Sequence, residues 1–271
     1  MESTQIALKS LRPVLPVTLT PLRTSSPRDS HAMTACAECS NRRHCLPHSM
    51  SLQEMAEISD LVYTRQRIAH HQSIYRAGDH LKSLYAVRSG FFKTYSLNDE
   101  GRAYVTGFYM AGDLIGMDGI ETNRHSLHAV ALEDSEVCVI HYTNLSQLIA
   151  KVPALQTQFL RMMSHEITHT QGVMKMGSMN AEGRIAAFLL DISERLKLRG
   201  YSASEFNLRM TREEIGSYLG LKLETVSRMF TKLEHKGVIS VWQKNMKIKS
   251  LEKLTLLIES TTSECHPSAV A

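Results

Sequence analysis

The sequence predicts an α+β protein with an N-terminal antiparallel β-roll, one long helix, and a C-terminal domain of two short helices and two short strands. Three patterns favour this architecture. Short apolar runs alternate with glycines from about Gln66 to Tyr142, helical apolar spacing follows from Pro153 to about Asn180, and a capped helix–glycine–helix pattern occupies the last third. Strands with frequent turn residues are typical of barrels and rolls, and 3–4 apolar spacing is typical of helices.

The chain of 271 residues is long enough for two modest domains. We expect five segments: a polar tail (1–30), a cysteine-rich segment with the β-roll (31–150), the long helix (151–180), the C-terminal domain (181–255) and a second tail (256–271). The first thirty residues lack the apolar core of a signal peptide, and no stretch suits a membrane span. We therefore expect a cytoplasmic protein without a membrane partner, in which thiols stay reduced.

The β-roll prediction depends on short strands and on the glycines between them. Apolar runs at Leu84–Val87, Phe91–Leu97 and Arg102–Tyr109 have the length of strands. Seven of the fourteen glycines fall between residues 78 and 119, where they indicate turns. The segment Asn98–Gly101 has the composition of a hairpin connection.

The long helix carries two apolar stripes. The first follows a 3-4-3-4-3 heptad spacing and comprises Leu160, Met163, Ile167, Thr170, Met174 and Gly177. The second, on a neighbouring face, comprises Leu155, Phe159, Met162, Val173 and Met176. Two stripes predict a helix that packs on its own domain and pairs with a partner helix across the first stripe, the seam. Burial on two sides within one chain is the alternative that periodicity leaves open.

A helix-turn-helix is predicted near the C terminus. Thr211 and Glu214 form a capping box that starts a helix ending at Gly220, and a second helix runs from about Leu223 to His235, before Gly237. Two short helices joined by a tight glycine turn are the helix-turn-helix signature. The alternating segments 238–241 and 246–248 then predict the two strands of a wing, with basic residues in and after their turn.

The second helix has the features of a recognition helix. Glu224, Ser227 and Arg228 share one face near its N-terminal end, the end that enters the major groove of DNA. Arginine binds guanine bidentately, glutamate accepts from cytosine, and serine contacts either base. The alternative is an ordinary surface pair of Glu224 and Arg228. Residues 205–253 hold ten Lys or Arg against six Asp or Glu, so this basic segment favours a DNA partner.

Four cysteines predict a thiolate metal site. Cys36, Cys39 and Cys45 fall within ten residues, and Cys138 lies far away in the predicted strand 136–140. Three clustered thiols and one remote thiol suit either an iron–sulfur cluster or Zn²⁺, and spacing alone leaves both open. Taken alone, Cys138 is also a candidate for an ordinary buried cysteine. Cys265, in the polar C-terminal tail, has no evident partner.

The segment Met210–Gly237 resembles the helix-turn-helix of the Crp–Fnr family of bacterial regulators, and Glu-x-x-Ser-Arg resembles its fumarate and nitrate reduction branch. The stretches 75–79, 82–85, 88–90 and 111–114 extend the resemblance, which runs from about residue 36 to 254. It implies a β-roll like that of cyclic-nucleotide-binding domains, a dimerisation helix and a winged helix-turn-helix. It also implies a homodimer on a palindrome like TTGAT-N4-ATCAA, with base contacts from Glu224, Ser227 and Arg228, and RNA polymerase as a further partner.

The same branch has the Cys-x2-Cys-x5-Cys pattern and a remote fourth cysteine. The resemblance therefore implies a [4Fe–4S] cluster on Cys36, Cys39, Cys45 and Cys138. It implies that the intact cluster favours dimerisation and that oxygen, by attacking the cluster, weakens the dimer and DNA binding. One departure concerns Thr170, which stands where the best-known relatives have an acidic residue. We expect the cluster-free protein to dimerise more readily, because a neutral threonine removes the repulsion between partners.

Three alternative functions compete with an oxygen-responsive regulator. A cyclic-nucleotide-dependent regulator needs a glutamate and an Arg-Ser pair, and the resembling positions here are Asp113 and His125–Ser126, which lack the cation for the phosphate. Structural zinc would give a constitutive DNA-binding protein. A cysteine enzyme using Cys45 and His44 is disfavoured, because sequence neighbours are not the spatial neighbours that catalysis needs. We expect a regulator and not an enzyme.

Overall fold

The computed structural model describes residues 36–48, 50–51, 53–55 and 62–263. The predicted tail at 1–30 lies outside these ranges, as do residues 264–271 with Cys265. None of the helices in the described part of the chain is long and apolar enough to cross a membrane.

The β-roll consists of two four-stranded antiparallel sheets. One has the order β1-β8-β3-β6 and the other the order β2-β7-β4-β5. The strands are β1 Val62–Ile68, β2 Ser73–Tyr75, β3 Ser83–Ser89, β4 Phe91–Leu97, β5 Ala103–Met110, β6 Leu114–Ile115, β7 His128–Ala131 and β8 Ser135–His141. Side chains from both sheets, including Val87, Phe92 and Val137, form a common core. The predicted roll is confirmed, and its first strand begins before the expected start at Gln66.

The hairpin between β4 and β5 forms where the sequence predicted it. The side chain of Asn98 accepts hydrogen bonds from the backbone amides of Glu100 and Arg102, and Gly101 adopts a φ of +77°. A glycine at positive φ closes a turn without the steric cost that a side chain would add. Both strands that this turn joins contact the C-terminal domain.

The α-helices that follow the β-roll are α1 Tyr142–Ile149, α2 Pro153–Met176, α3 Ala181–Leu198, α4 Arg212–Leu219, α5 Leu223–His235 and α6 Leu251–Ser263. The long helix α2 begins at the predicted proline but ends at Met176, four residues before the expected limit. The side chain of Asn180 accepts a hydrogen bond from the amide of Gly183 at 2.9 Å and so caps α3. Because Asn180 adopts an extended conformation as a cap, α2 and α3 are separate helices.

The C-terminal domain contains the predicted helix-turn-helix and two elements that the sequence analysis missed. A three-stranded sheet has the order β10-β11-β9, with β9 Glu205–Asn207, β10 Ile239–Trp242 and β11 Asn245–Ile248. The wing strands are confirmed, and β9 adds a third strand to them. The sequence predicts a tail from residue 256 onward, but residues 256–263 belong to α6. This helix packs on the domain core through Leu254, which is fully buried, and through the partly buried Leu257 and Ile258.

Candidate functional sites

The four predicted cysteine ligands lie in one neighbourhood beside the β-roll. Two 3-10 turns, Cys36–Glu38 and Ser40–His44, carry the first three cysteines to the sheet that contains Cys138. Cys36, Cys45 and Cys138 pack against the same apolar cluster. On the sheet, Cys138 pairs with Ala86 of β3 on one side and with Arg65 of β1 on the other. A small side chain directly opposite the cysteine limits crowding on that face.

Ionisation of the cysteines reflects their shared burial. Burial, followed by the charges of Cys138, Cys36 and Cys39, raises the pKa of the Cys45 thiol to about 12. Burial and the charges of Cys36 and Cys39 raise the pKa of Cys138 to about 11, while the charges of Arg65 and Arg88 act in the opposite direction. Buried thiols that repel one another as thiolates stay protonated unless a cation compensates the charge. The thiolate forms of these cysteines therefore need a compensating positive charge, which a bound metal centre would supply.

Within the described ranges, no three His, Cys, Asp or Glu side chains are already arranged to hold a metal ion. The charges of Cys36, Cys39 and Cys138 nevertheless act on Cys45, so the four thiols lie near one another. The residues fit an iron–sulfur cluster by donor type and by convergence on one site.

The cysteine site lies against the first turns of α2. Its apolar cluster includes Leu155 and Phe159 of that helix, together with the partly buried Met162 and Met163. The side chain of Gln158, which is also buried, donates a hydrogen bond to the carbonyl of Cys45 at 3.5 Å. Order in the cysteine segment and placement of α2 are therefore physically linked.

A second contact connects the cysteine segment to α3. The imidazole of His44 hydrogen-bonds the backbone of Leu198, and a Cβ added at Gly112 would lie 2.8 Å from the Cβ of His44. Next to Gly112, the carboxylate of Asp113 pairs with Arg195 at 2.8 Å and also with Arg199. These part-buried, charge-assisted contacts hold the end of α3 against the β-roll turn at Gly112, on which His44 packs.

The seam of α2 is exposed, as expected for a surface that meets a partner. Leu160 and Ile167 are each 58% exposed and Met174 is 75% exposed, whereas Leu155 and Phe159 on the second stripe are buried. Met163 is partly buried because it also packs on the cysteine-site cluster. Thr170 is exposed and uncharged, and its hydroxyl donates to the carbonyl of Glu166 at 2.9 Å. The two stripes thus have the different surroundings that the sequence predicted.

Both helices of the helix-turn-helix begin and end where the sequence predicts. The hydroxyl of Thr211 accepts from the amide of Glu214, whose carboxylate accepts in turn from the amide of Thr211, and Gly220 ends α4 with a φ of +65°. Helix α5 spans Leu223–His235 and buries Val226, Phe230 and Leu233. The side chains of Glu224, Ser227 and Arg228 are exposed on the opposite side of the helix.

The helix-turn-helix is docked on the β-roll through polar contacts. Lys93 of β4 pairs with the capping carboxylate of Glu214 at 2.6 Å. The hydroxyl of Ser217 accepts from the amide of Val105 at 2.9 Å and donates to the carbonyl of Ala103 at 3.0 Å. Burial opposes ionisation of Glu214, but hydrogen bonds from Lys93 and Thr211 hold its pKa below the usual value. The β-roll therefore helps to hold α4 in place and to keep Glu214 ionised.

The two positions that resemble the nucleotide-binding residues of relatives take part in separate polar contacts. His125 is buried, stacks on Tyr75 with ring centroids 3.6 Å apart, and lies 3.3 Å from the carboxylate of Asp118. Asp113 instead pairs with Arg195 of α3 and with Arg199, which directly follows α3. In this structure Asp113 and His125 therefore each have protein partners.

Comparisons with known proteins agree with both halves of the fold. Residues 65–152 match the cyclic nucleotide-binding domain family, and residues 183–257 match the Crp-like helix-turn-helix domain family. The chain is 42% identical over 224 residues to the transcriptional regulatory protein btr of Bordetella pertussis, covering 82% of this chain and 93% of that protein. It is 39% identical over 227 residues to the fumarate and nitrate reduction regulatory protein of Escherichia coli, covering 83% and 91%. The chain belongs to the Crp–Fnr family.

Solved structures support this membership. FixK2 from Bradyrhizobium japonicum has a TM-score of 0.65 and 27% identity, with 77% of this chain and 98% of that chain covered. The Crp–Fnr chain described here is a DNA-binding transcription regulator of the fumarate and nitrate reduction type. Regulators of this family typically bind DNA as dimers, which accords with the exposed seam on α2.

Sequence reasoning missed several residues that support these sites. Arg65 and Arg88 act electrostatically on Cys138, and Ala86 lies opposite it, but each signal is visible only once the register of β8 is known. Gln158 had a weak signal, since it is a polar residue between Leu155 and Phe159 on the stripe that packs inward. A buried polar side chain needs a partner, and the cysteine segment provides it.

Proposed function

We propose that this regulator is switched by an oxygen-labile [4Fe–4S] cluster held by Cys36, Cys39, Cys45 and Cys138, and that the switched property is dimerisation on DNA. The convergence of three cysteines of one short segment with a remote cysteine on β8 is the observation that carries the proposal. When bound, such a cluster supplies iron that reacts with oxygen. The protein's own part is to hold the thiols, shield them and transmit their ordering.

The protein transmits this ordering through α2. Cys45 is held by Gln158, and the apolar cluster around the cysteines includes Leu155, Phe159 and Met163. Met163 belongs to the seam as well, so the cysteine site and the dimer surface meet at one side chain. A segment that is ordered only when its thiols are ligated would stabilise α2 in the position that presents the seam. This is linkage, in which a ligand favours the state that it binds better.

The proposed dimer surface comprises Leu160, Met163, Ile167, Thr170 and Met174. An unpaired row of large apolar residues on a helix is stabilised by burial against an identical row, at roughly 25 cal/mol per Å² of apolar area removed from water. Because Thr170 is neutral and its hydroxyl is satisfied within its own helix, its position adds no repulsion between partners. We therefore propose that the protein without its cluster retains a measurable tendency to dimerise.

The proposed DNA contacts come from the exposed face of α5. Arg228 suits a guanine, Glu224 a cytosine and Ser227 either, in half-sites of a TTGAT-N4-ATCAA-like palindrome. Two-fold symmetry requires half-sites about one helical turn apart. RNA polymerase is the proposed further partner, contacted from loops of the β-roll and from the C-terminal domain. We also propose domain boundaries at 31–150, 151–180 and 181–255, and α6 extends the last domain to residue 263.

Anaerobic purification followed by a visible spectrum before and after admitting air tests the proposal. We expect a broad band near ~400 nm, typical of iron bound by sulfur ligands, that bleaches in air together with loss of binding to the palindrome. A colourless protein that contains zinc and binds the same DNA with or without air would contradict the proposal and establish a structural zinc site. Iron and zinc analysis of the same sample separates the two outcomes.

A further inference from the structure

Arg184, in the first turn of α3, joins two other helices through a single side chain. Its guanidinium donates to the carbonyls of Gly177 at 2.5 Å, Met179 at 2.9 Å and Leu219 at 3.0 Å. Gly177 directly follows the last residue of α2, and Leu219 is the last residue of α4. One part-buried cation therefore lies between the C-terminal ends of the dimerisation helix and of the first helix of the helix-turn-helix.

The chemistry of this contact makes it directional. Carbonyls at a helix C terminus lack intrahelical partners and carry the negative end of the helix dipole, so they favour a cation. A guanidinium offers five donors in a rigid planar fork, which fixes both the distance and the angle between the groups it binds. A lysine ammonium is a point charge and cannot reproduce three such bonds in one plane.

The same turn of α3 also holds the recognition helix. Glu182 is paired with Lys232 at 2.7 Å and with Lys236 at 2.5 Å, and its side chain is only 12% exposed. Burial opposes its ionisation, yet the two lysines hold the pKa of Glu182 below its usual value. The first turn of α3 thus contacts α5 through Glu182, and it contacts the ends of α4 and α2 through Arg184.

Other contacts between α2 and the C-terminal domain are less directional. Val173 and Met176 pack on the domain core, and apolar packing tolerates rotation better than a hydrogen-bonded fork does. Further from the junction, His169 lies 3.4 Å from Asp191 of α3. The covalent connection is the short segment 177–180. The orientation of the helix-turn-helix relative to α2 therefore depends on Arg184 more than on any apolar contact at the junction.

We propose that Arg184 is a positioning residue that sets the angle between the dimerisation helix and the recognition helix, and thereby selects the spacer length between half-sites. This inference rests on the proposed function, since it requires a dimer on a palindrome. Adding one base pair to the spacer moves the second half-site by about 3.4 Å and turns it by about 35°. A helix-turn-helix fixed in angle accepts one spacer, whereas a loosened one accepts several at lower affinity.

The test compares Arg184→Gln and Arg184→Lys with the wild-type protein. Exposed Lys197, at the other end of α3, provides the matched control Lys197→Gln. Fluorescence anisotropy of anaerobically purified full-length protein is measured at one salt concentration on DNA with half-sites three, four or five base pairs apart, and on a single half-site. Thermal unfolding and the visible spectrum are recorded for each variant.

For Arg184→Gln we expect about tenfold weaker binding to the four-base-pair spacer, as for loss of hydrogen bonds to a charged group. Binding to the single half-site should stay unchanged, so that the preference over three and five base pairs falls by a similar factor. Arg184→Lys should lie between this variant and the wild type, and Lys197→Gln should match the wild type. If Arg184→Gln does not fold, the lysine variant carries the test.

An unchanged spacer preference in the Arg184 variants, or an equal loss on every spacer and on the single half-site, would overturn the inference. Failure of the proposed function has a different signature. In that case the wild-type protein itself would bind the palindrome no better than scrambled DNA, and both the function and the inference would be overturned.

Discussion

The recognition helix-turn-helix and the cysteine site are built in opposite ways. Thr211, Glu214, Gly220 and Gly237 define the ends of the first within 27 residues of sequence, and their capping contacts are with near neighbours, although Glu214 also pairs with Lys93 of the β-roll. The second joins residues 36–45 to Cys138, nearly a hundred positions away, and is completed by the register of a sheet and by α2. A structure made of local contacts can persist alone, whereas a site made of distant pieces needs something that holds the pieces together.

The difference suits a switch. In the proposed mechanism the DNA-reading surface stays folded in both states, while the segment proposed to respond to oxygen depends on long-range contacts that a bound cluster would stabilise. Segments that take part in regulation generally come from the less stable parts of a structure. The following predictions test this contrast between a locally encoded reading surface and a conditionally ordered sensor.

Replacing a cysteine ligand should have the largest effect. For Cys45→Ser we expect loss of the visible band and of iron, and a fall of DNA binding to the non-specific level, a loss of about 10³-fold or more. Iron analysis and anisotropy on the palindrome measure both effects. Cys265→Ser, at the cysteine to which we assign no role, is the control and should behave as the wild type. Retention of a full visible band by Cys45→Ser would remove Cys45 from the proposed site.

Changing the reading surface should affect sequence choice and leave the sensor intact. Arg228→Ala should lose about 1–3 kcal/mol of discrimination at one guanine, because a bidentate contact is removed, with an unchanged visible spectrum. Lys244→Ala, in the exposed turn of the wing, should instead weaken binding about equally for all sequences and lower the salt slope by about one. Binding titrations on single-base variants of the half-site measure both. Equal weakening on every sequence by Arg228→Ala would show that this side chain contacts only the DNA backbone.

A charge in the seam should weaken the dimer. Thr170→Asp places like charges near each other across the proposed interface, so the cluster-free protein should dissociate at concentrations at least about tenfold higher than the wild type does. Thr168→Asp is closely matched, since both hydroxyls donate to the carbonyl four residues back at 2.9 Å and both residues are exposed. Sedimentation velocity measures the effect. A wild-type protein without cluster that is purely monomeric at micromolar concentration would refute the role given to Thr170.

Small changes under the cysteine segment should produce the smallest effect. Gly112→Ala adds a Cβ 2.8 Å from that of His44 at a φ of +96°, whereas Gly78→Ala adds one into open space at a φ of +90°. Both should lose about 1–3 kcal/mol of stability from backbone strain. Only Gly112→Ala should also release iron faster, because only there does the new methyl group push on the cysteine segment. Similar iron release by both variants would separate the contact at His44 from cluster retention.

The extent to which sequence predicted the molecule follows the same contrast. The capping box, both helices of the helix-turn-helix and the wing strands are read from neighbouring residues, and the structure has them at the predicted places. Two elements were missed because their signals are weak. The strand β9 has three residues and exists by pairing with β11, and α6 follows a short apolar pattern whose burial depends on packing against the rest of the domain.

At the proposed sensor site, the sequence predicted the four cysteines as ligands but did not predict their surroundings. The alternation of β8 does not tell which residues of β1 and β3 lie opposite Cys138, so Arg65 and Ala86 were not expected there. The pairing of Asp113 with Arg195 and Arg199 was not predicted for the same reason, since it joins residues more than eighty positions apart. The two stripes of α2 were read correctly because helical periodicity is a local property.

Hydrogen exchange of the same protein with and without its cluster tests the account most directly. The iron-loaded protein is compared with a sample treated anaerobically with a chelator, both measured by mass spectrometry. We predict faster exchange after cluster loss in residues 36–55 and in α2, with α4 and α5 unchanged. Equal protection of the cysteine segment in both samples, or loss of protection in α5 as large as that in α2, would contradict the division into a conditional sensor and a persistent reading surface.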